Sequence, residues 1–82
     1  MEEKTKLQEM RIKAGKTQKE AAEICGISLG VWRHYEQGSR KFDGAGLATI
    51  IRTALALNCN IEDLIEDAET LKILQEYKEA KG

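Results

Sequence analysis

A short stretch, residues 24–38, combines bulky apolar side chains with side chains that form hydrogen bonds. Val31, Trp32 and Tyr35 recur at the three- and four-residue spacing that places residues on one face of a helix, so a core role is expected for them. The positions left for the opposite face are Leu29, Gly30, Arg33, His34 and Gln37. Guanidinium, imidazole and amide groups can donate hydrogen bonds to acceptors on another surface. The pattern therefore predicts a helix that inserts into a binding partner.

The sequence lacks the residues that a catalytic site needs. The chain has one histidine, and no serine has a plausible histidine and acid partner. It has no glycine-rich phosphate loop and no pair of carboxylates in an identifiable cleft. The sequence therefore predicts that the protein is not an enzyme and has no catalytic residues.

Cysteine content argues against a metal centre. Cys25 and Cys59 are the two cysteines, and His34 is the one further soft ligand. This is too little for a structural zinc site, and two distant cysteines do not make a disulfide framework. Both are predicted to be small buried hydrophobes. No metal and no cofactor are expected.

Composition indicates one small helical domain. The chain has 82 residues, of which 41% are hydrophobic and none is proline, values typical of a compact all-helical domain rather than of disorder. No run of about 18 apolar residues is present, so no membrane partner is expected. The first ten residues lack the apolar segment of a signal peptide, which favours a cytoplasmic location.

Charge is distributed unevenly although the net charge is only −1. Residues 1–41 carry nine Lys or Arg against six Asp or Glu, whereas residues 42–82 carry four against eight. The asymmetry matters more than the total, because the basic half contains the exposed helix face described above. The acidic half could bind a protein partner. Charges that alternate only for solubility are the alternative explanation.

Capping residues predict two helices before Gly26. Residues 5–14 have apolar side chains at helical spacing, and this first helix is expected to end at Gly15. Thr17 and Glu20 have the spacing of a capping box, in which each side chain bonds the backbone N–H of the other residue. A second helix should therefore run from there to Cys25. Gly26 ends it, because glycine enters a left-handed turn without steric cost.

A third helix follows almost at once. Ser28 is its predicted N-cap, and Gly38 its predicted end. The two short helices are thus joined by a turn of residues 26–28, and Ala22 is small enough to let them cross closely. Local chemistry alone predicts a helix-turn-helix.

Three more helices are predicted in the second half. Asp43 is a candidate cap for a fourth, which Asn58 can close, and Asn60 with Asp63 marks the start of a fifth. The fourth helix is expected to turn its apolar residues to the core: Leu47, Ile50, Ile51, Ala54 and Leu57. Residues 67–82 are predicted as a sixth, partly exposed helix with a stripe of Leu71, Leu74 and Tyr77. The stripe either folds back on the fifth helix or pairs with a second chain, with pairing slightly favoured.

Residues 7–66 resemble the five-helix DNA-binding domain of the Cro and CI type phage repressors, the XRE-like family. The motifs that carry the resemblance are, in order, L-x-x-M-R, G-x-T-Q, A-x-x-x-G-I-S, Y-E-x-G, L-x-x-I-I, A-x-N and N-I-E-D-L-I. The resemblance implies an all-α fold: a lambda-repressor-like helix-turn-helix domain, here residues 1–67, with an additional C-terminal helix, residues 68–82, as a possible dimerisation element. It also implies a sequence-specific transcriptional regulator, a repressor, that binds double-stranded DNA as a homodimer.

The resemblance also implies residue roles. Arg11 and Glu36 match a partly buried structural ion pair, and Gln18 matches a glutamine that contacts a phosphate and braces the third helix. Base contacts in the major groove are expected from the outward positions of helix 29–37: Leu29, Gly30, Arg33, His34 and Gln37. Phosphate contacts are expected from Thr17, Gln18, Ser28, Ser39, Arg40 and Lys41.

Two departures from the family pattern bear on these roles. The loop of residues 39–46 is about three residues longer than usual and lacks the usual proline, and Leu29 and Gly30 replace the hydrogen-bonding residues common at the start of the third helix. Fewer direct base readers remain, which favours either modest specificity or reliance on DNA shape. Two alternative functions stay open: the antitoxin of a toxin-antitoxin pair, and a protein-interaction module of the same fold that no longer binds DNA.

Overall fold

The computed structural model describes residues 4–82, which contain five α-helices and no strand. The helices are α1 (Lys6–Lys13), α2 (Gln18–Cys25), α3 (Leu29–Gln37), α4 (Leu47–Leu57) and α5 (Ala68–Lys81). Single 3-10 turns lie at Phe42–Gly44 and Ile61–Asp63. The predicted all-α fold with a helix-turn-helix is confirmed. Residues 1–3, the start of the predicted first domain, lie outside the described residues.

The predicted caps set the ends of α2 and α3. The Thr17 hydroxyl accepts from the Glu20 backbone N–H at 3.1 Å, and the Glu20 carboxylate accepts from the Thr17 N–H at 2.8 Å. Hydrogen bonding of the Glu20 carboxyl to the Thr17 backbone, and to a lesser extent to the Thr17 side chain, holds the pKa of Glu20 below its ordinary value. Gly26 and Gly38 both adopt the left-handed conformation, with φ of 73° and 80°. Local chemistry therefore determines these helix boundaries.

The core lies between α2, α3 and α4. Ala21 and Ala22 are buried, and their small side chains let the helices approach closely. Cys25 is buried as predicted, with its Sγ 3.2 Å from the Thr53 hydroxyl. Cys59 is half-buried, and desolvation raises the pKa of its thiol. The remaining core residues are Leu7, Trp32, Tyr35, Phe42, Ile50, Ala54, Leu57, Leu64 and Ile65.

The fifth helix predicted after Asn60 is wrong, because the segment forms only the 3-10 turn Ile61–Asp63. Asp63 does accept from the Asn60 backbone N–H at 3.0 Å, so the predicted cap is present. The Lys6 ammonium, however, donates to the backbone carbonyls of Glu62 and Ile65 at 3.4 and 2.7 Å. Carbonyls that a longer helix would use internally are therefore bonded from α1, and the predicted sixth helix is α5.

The N-cap predicted at Asp43 is also wrong. α4 begins after Gly46 without a side-chain cap. The Asp43 carboxylate instead accepts from the backbone N–H groups of Glu66 and Asp67 at 3.2 and 2.8 Å. Asp43 thereby fixes the chain just before α5. Asn58 ends α4 in the left-handed conformation, φ 52°, as predicted.

Two of the core positions predicted on α4 are exposed. Ile50, Ala54 and Leu57 are buried, but Leu47 is 71% and Ile51 is 41% exposed. The helix carries apolar residues on nearly all sides, and only one side faces α2 and the 3-10 turn Ile61–Asp63. The sequence pattern could not distinguish the two sides.

α5 folds back at its start and becomes solvent-exposed further along. Leu71 packs against the core, and Leu74 is half-buried. Lys78 forms an ion pair with Glu62, which holds the pKa of the Glu62 carboxyl below its ordinary value. Ile73 and Tyr77 remain 57% and 60% exposed. Among residues 4–82, no helix is long and apolar enough to cross a membrane.

Candidate nucleic-acid interface

The turn between α2 and α3 is built from backbone hydrogen bonds. The Ile27 N–H donates to the Ala22 carbonyl at 3.1 Å, which closes the end of α2. The Ser28 hydroxyl accepts from the Val31 N–H at 3.2 Å and so caps α3. At Gly26 a Cβ would meet only the Arg52 guanidinium, at an ordinary 3.7 Å, so the left-handed φ is what requires glycine there. The end of α2 and the start of α3 are thus fixed locally.

α3 separates its buried residues from its outward residues. Trp32 is fully buried and Tyr35 nearly so, while Val31 is half-buried. The outward positions predicted for base contacts are all at least partly accessible: Leu29 is half-buried, and Gly30, Arg33, His34 and Gln37 are exposed. The structure brings these five residues together on one helix face. That face projects three polar side chains into solvent.

A buried carboxylate anchors this helix. Glu36 is 5% exposed, and its carboxylate accepts from Arg11 Nε at 2.5 Å and from Arg11 Nη2 at 3.2 Å. The buried Trp32 indole N–H also donates to it. Arg11 Nη1 donates to the Lys16 carbonyl at 2.9 Å. Each guanidinium nitrogen of Arg11 has an acceptor, and no buried side-chain nitrogen or oxygen of the described residues lacks a hydrogen-bond partner. This is the condition for a buried ion pair to be tolerated.

Gln18 links the buried pair to the outward face. Its amide nitrogen donates to Glu36 Oε1 at 3.1 Å, and its amide oxygen accepts from Arg33 Nε at 3.4 Å. Because Arg33 uses Nε here, its two terminal nitrogens can donate to a further acceptor without breaking this contact. Gln18 thus braces α3 and orients Arg33.

His34 is tied to the end of α3. Its Nδ1 lies 3.0 Å from the Ser39 hydroxyl, and that hydroxyl also lies 3.3 Å from the His34 carbonyl oxygen. The Arg40 N–H donates to the same carbonyl at 3.2 Å. Nδ1 is therefore engaged within the chain, and Nε2 is the ring nitrogen of His34 that has no hydrogen bond to the described residues.

The predicted phosphate-contact residues surround α3. The Thr17 and Ser28 hydroxyls accept the capping bonds. The Ser28 hydroxyl keeps its own hydrogen to donate. The Arg40 guanidinium lies 5.7 Å from the centre of the Tyr35 ring, a cation–π arrangement that limits its motion. Lys41 is exposed. It lies near Asp67, whose pKa is lowered by hydrogen bonds from Thr70 and, to a lesser extent, by Lys41.

Among the contacts that sequence reasoning missed, two differ in how far the sequence indicates them. The Trp32–Glu36 hydrogen bond joins residues four apart on one helix, so its spacing was a usable signal. The link from Lys6 to the carbonyls before α5 joins residues more than fifty positions apart, and no local signal indicates it. No group of His, Cys, Asp and Glu among residues 4–82 could hold a metal ion.

The helix-turn-helix geometry agrees with a comparison of the sequence with known protein families. The model of a family described as a helix-turn-helix domain matches residues 5–58. The chain belongs to the helix-turn-helix domain family. The matched region covers α1 to α4 and ends before α5.

Membership has direct consequences for function. Helix-turn-helix domains bind DNA through their second helix, here α3, and are typically not enzymes. No curated protein and no solved structure matches the chain. A DNA-binding regulatory role therefore rests on the family and on the geometry of this helix-turn-helix.

Proposed function

We propose that the protein is a sequence-specific transcriptional regulator, a repressor of the Cro and CI type, that inserts α3 into the major groove of double-stranded DNA. The observation that supports the proposal most strongly is that α3 is anchored on one face and exposed on the other. Its polar face is exposed, while its other face is fixed by fully buried Trp32 and the Arg11–Glu36 pair. A helix held this rigidly can present side chains to base edges without losing much conformational entropy on binding.

Arg33 is the main base reader in this proposal. Its guanidinium can bond the O6 and N7 of guanine together, a pairing that favours guanine over other bases. The hydrogen bond that Arg33 Nε donates to the Gln18 amide oxygen would hold the guanidinium plane before binding. His34 and Gln37 would read neighbouring bases, Leu29 would pack on a thymine methyl group, and Gly30 would allow close approach of the backbone.

The residues around α3 would hold the DNA backbone. Thr17, Gln18 and Ser28 lie at the N-terminal ends of α2 and α3, where backbone N–H groups favour bound anions. Ser39, Arg40 and Lys41 follow the C-terminal end of α3. These contacts would position the protein without specifying sequence.

The regulator would act as a homodimer in the cytoplasm. Two recognition helices related by a two-fold axis enter successive major grooves about 34 Å apart, so the operator would be an inverted repeat. Repression would follow from occupancy of a promoter. Residues 68–82 form the extension beyond the domain of residues 1–67, and the exposed Ile73 and Tyr77 leave it able to contact a second chain or another protein.

Selection of bound duplexes from a random pool tests the proposal. Recovery of an inverted repeat with a fixed half-site spacing is the expected result, and no enrichment over the starting pool would contradict it. The antitoxin and interaction-module alternatives use the acidic half as a protein-binding surface. The module alternative predicts no binding to any duplex at low salt, where non-specific contacts are strongest.

A further inference from the structure

His34 and Ser39 form a hydrogen-bonded unit at the C-terminal end of α3. His34 Nδ1 lies 3.0 Å from the Ser39 hydroxyl oxygen, and this oxygen lies 3.3 Å from the His34 backbone carbonyl oxygen. The Arg40 N–H donates to the same carbonyl at 3.2 Å. His34 is exposed, and its Nε2 has no hydrogen bond to the described residues. The positions of the hydrogens in this unit therefore determine what Nε2 offers to a bound molecule.

A neutral imidazole carries one hydrogen, on Nδ1 or on Nε2. The nitrogen that carries the hydrogen donates, and the bare nitrogen accepts. Which nitrogen is protonated is set by the hydrogen bond that the engaged nitrogen makes, here Nδ1. The tautomer of His34 thus depends on which atom donates in the contact between Nδ1 and the Ser39 hydroxyl.

The Ser39 hydroxyl has one hydrogen to donate. If Nδ1 carries the imidazole hydrogen, Nδ1 donates to the hydroxyl and the hydroxyl donates to the His34 carbonyl, whose two lone pairs also accept from Arg40. If Nε2 carries it, the hydroxyl must donate to Nδ1, and its lone pairs then face the carbonyl oxygen at 3.3 Å with no hydrogen between them. The first arrangement makes one more hydrogen bond and avoids this repulsion, so the geometry favours the hydrogen on Nδ1.

We propose that Ser39 holds neutral His34 in the tautomer with the hydrogen on Nδ1, so that Nε2 reads a base that donates a hydrogen bond. In the major groove the donors are the amino groups of adenine and cytosine, whereas guanine N7 and O6 and thymine O4 are acceptors. The base that His34 contacts is therefore adenine or cytosine on one strand. The inference rests on the proposed function and adds to it the base class that His34 selects, with Ser39 as a positioning residue.

This role is opposite in hydrogen-bond polarity to that of Arg33. A guanidinium has donors and no acceptor, so Arg33 pairs with the acceptor atoms of guanine. A bare imidazole nitrogen has an acceptor and no donor, so it gains nothing from guanine or thymine. The two consecutive residues of α3 thus select bases by opposite criteria, a guanine at Arg33 and an amino-bearing base at His34.

Two-bond ¹⁵N–¹H correlation NMR of the free protein measures the tautomer. His34 is the single histidine of the chain, so without a histidine tag both ring nitrogens are assigned unambiguously. Spectra are recorded at about pH 8.5, above the range in which histidine usually changes charge. Wild type should show a protonated Nδ1 and a bare Nε2, Ser39→Ala should show shifts averaged between the tautomers, and Ser39→Thr, which keeps the hydroxyl, should resemble wild type. A protonated Nε2 in wild type, or a Ser39→Ala spectrum like that of wild type, would overturn the proposal.

Altered bases test the base assignment at the same pH. His34→Ala identifies the contacted base pair, because its loss relaxes the preference at that position of the selected duplex. An analogue of adenine or cytosine that lacks the amino group, placed there, should weaken binding of wild type roughly three- to tenfold. It should change the affinity of His34→Ala little, which controls for effects on the duplex itself. A preference of wild type for guanine or thymine at this position, or an equal effect of the analogue on both chains, would contradict the assignment.

Ser39→Ala separates the positioning of His34 from a phosphate contact. Loss of a phosphate contact weakens all sequences about equally, whereas loss of the fixed tautomer lowers the ratio of affinities for the amino-bearing base and for guanine or thymine. The ratio should fall in Ser39→Ala and be kept in Ser39→Thr; an unchanged ratio in Ser39→Ala would overturn the positioning role. Absence of binding by wild type to any duplex would overturn the DNA-binding function and the base assignment with it, whereas the NMR result on the free protein concerns the tautomer alone.

Discussion

Removal of the Glu36 carboxylate should destabilise the domain more than any other single change to a charged side chain. Glu36→Ala deprives Arg11, Gln18 and Trp32 of their common acceptor. The Glu36 side chain is 3% exposed and that of Arg11 is 13% exposed, so water replaces the lost contacts poorly. An uncompensated guanidinium and an unpaired indole N–H then remain in the interior.

The expected loss in the free energy of unfolding is about 3 kcal/mol. Breaking a buried ion pair from one side costs about 3–5 kcal/mol. The lower end applies because Arg11 keeps its bond to the Lys16 carbonyl and is not fully buried. For a domain of this size, with a total stability of about 4–12 kcal/mol, the melting temperature should fall by roughly 12–24 °C.

Chemical and thermal denaturation followed by circular dichroism measure this loss. Glu23→Ala, which removes an exposed glutamate from α2, is the matched control and should change stability by less than about 0.5 kcal/mol. The Arg11→Ala, Glu36→Ala double variant should lose clearly less than the sum of the two single losses, because the pair is shared. A loss below about 1 kcal/mol for Glu36→Ala would refute the reasoning.

Three further outcomes are expected. Folding holds the pKa values of Glu20 and Asp67 below their unfolded values, so both carboxylates stabilise the fold at neutral pH. That contribution is lost as the pH falls through their folded pKa values, below about pH 4; thermal melts should show the decline, and Glu20→Gln should flatten it. Gly38→Ala should lower the free energy of unfolding by about 1–2 kcal/mol, because position 38 has a left-handed backbone. Gly30→Ala, inside α3 with open space around it, should raise the free energy of unfolding by about 0.5–1 kcal/mol, and denaturant titrations measure both changes. A chain ending at Asp67 should melt at a lower temperature, because Leu71 no longer packs against the core, and it should differ from the full chain in its mass by sedimentation; identical monomers would leave only the fold-back of α5.

The elements that the sequence predicted best are those determined by neighbouring residues. The capping box of Thr17 and Glu20 and the left-handed glycines at 26 and 38 depend only on residues a few positions away. Their geometry is therefore readable from local chemistry. The helix-turn-helix follows from them.

The errors lie where distant residues compete with local preference. The capping signal at Asn60 is real, but Lys6 binds the following carbonyls from α1, and Asp43 binds the N–H groups ahead of α5 instead of capping α4. Neither contact has a sequence signature. On α4, apolar residues on all sides left the buried face undetermined, and Leu47 was assigned to the core although it is exposed.

At the candidate site, the sequence indicated which residues lie together but not how they connect. The outward face of α3 follows from helical spacing, since Trp32 and Tyr35 define the buried side. The bridge from Glu36 through Gln18 to Arg33 depends on how α2 crosses α3, which spacing does not determine.

The central claim is that α3 reads base sequence through Arg33, and the most direct test measures affinity for the selected duplex and for a scrambled duplex across a salt series. Arg33→Ala should lose about 1–3 kcal/mol on the selected duplex and little on the scrambled one. Lys41→Ala is the matched backbone control: it should weaken both duplexes about equally and lower the slope of log affinity against log salt by about one unit. Equal losses of Arg33→Ala on both duplexes would make Arg33 a backbone anchor, and absence of binding by wild type to either duplex at low salt would contradict the DNA-reading account itself.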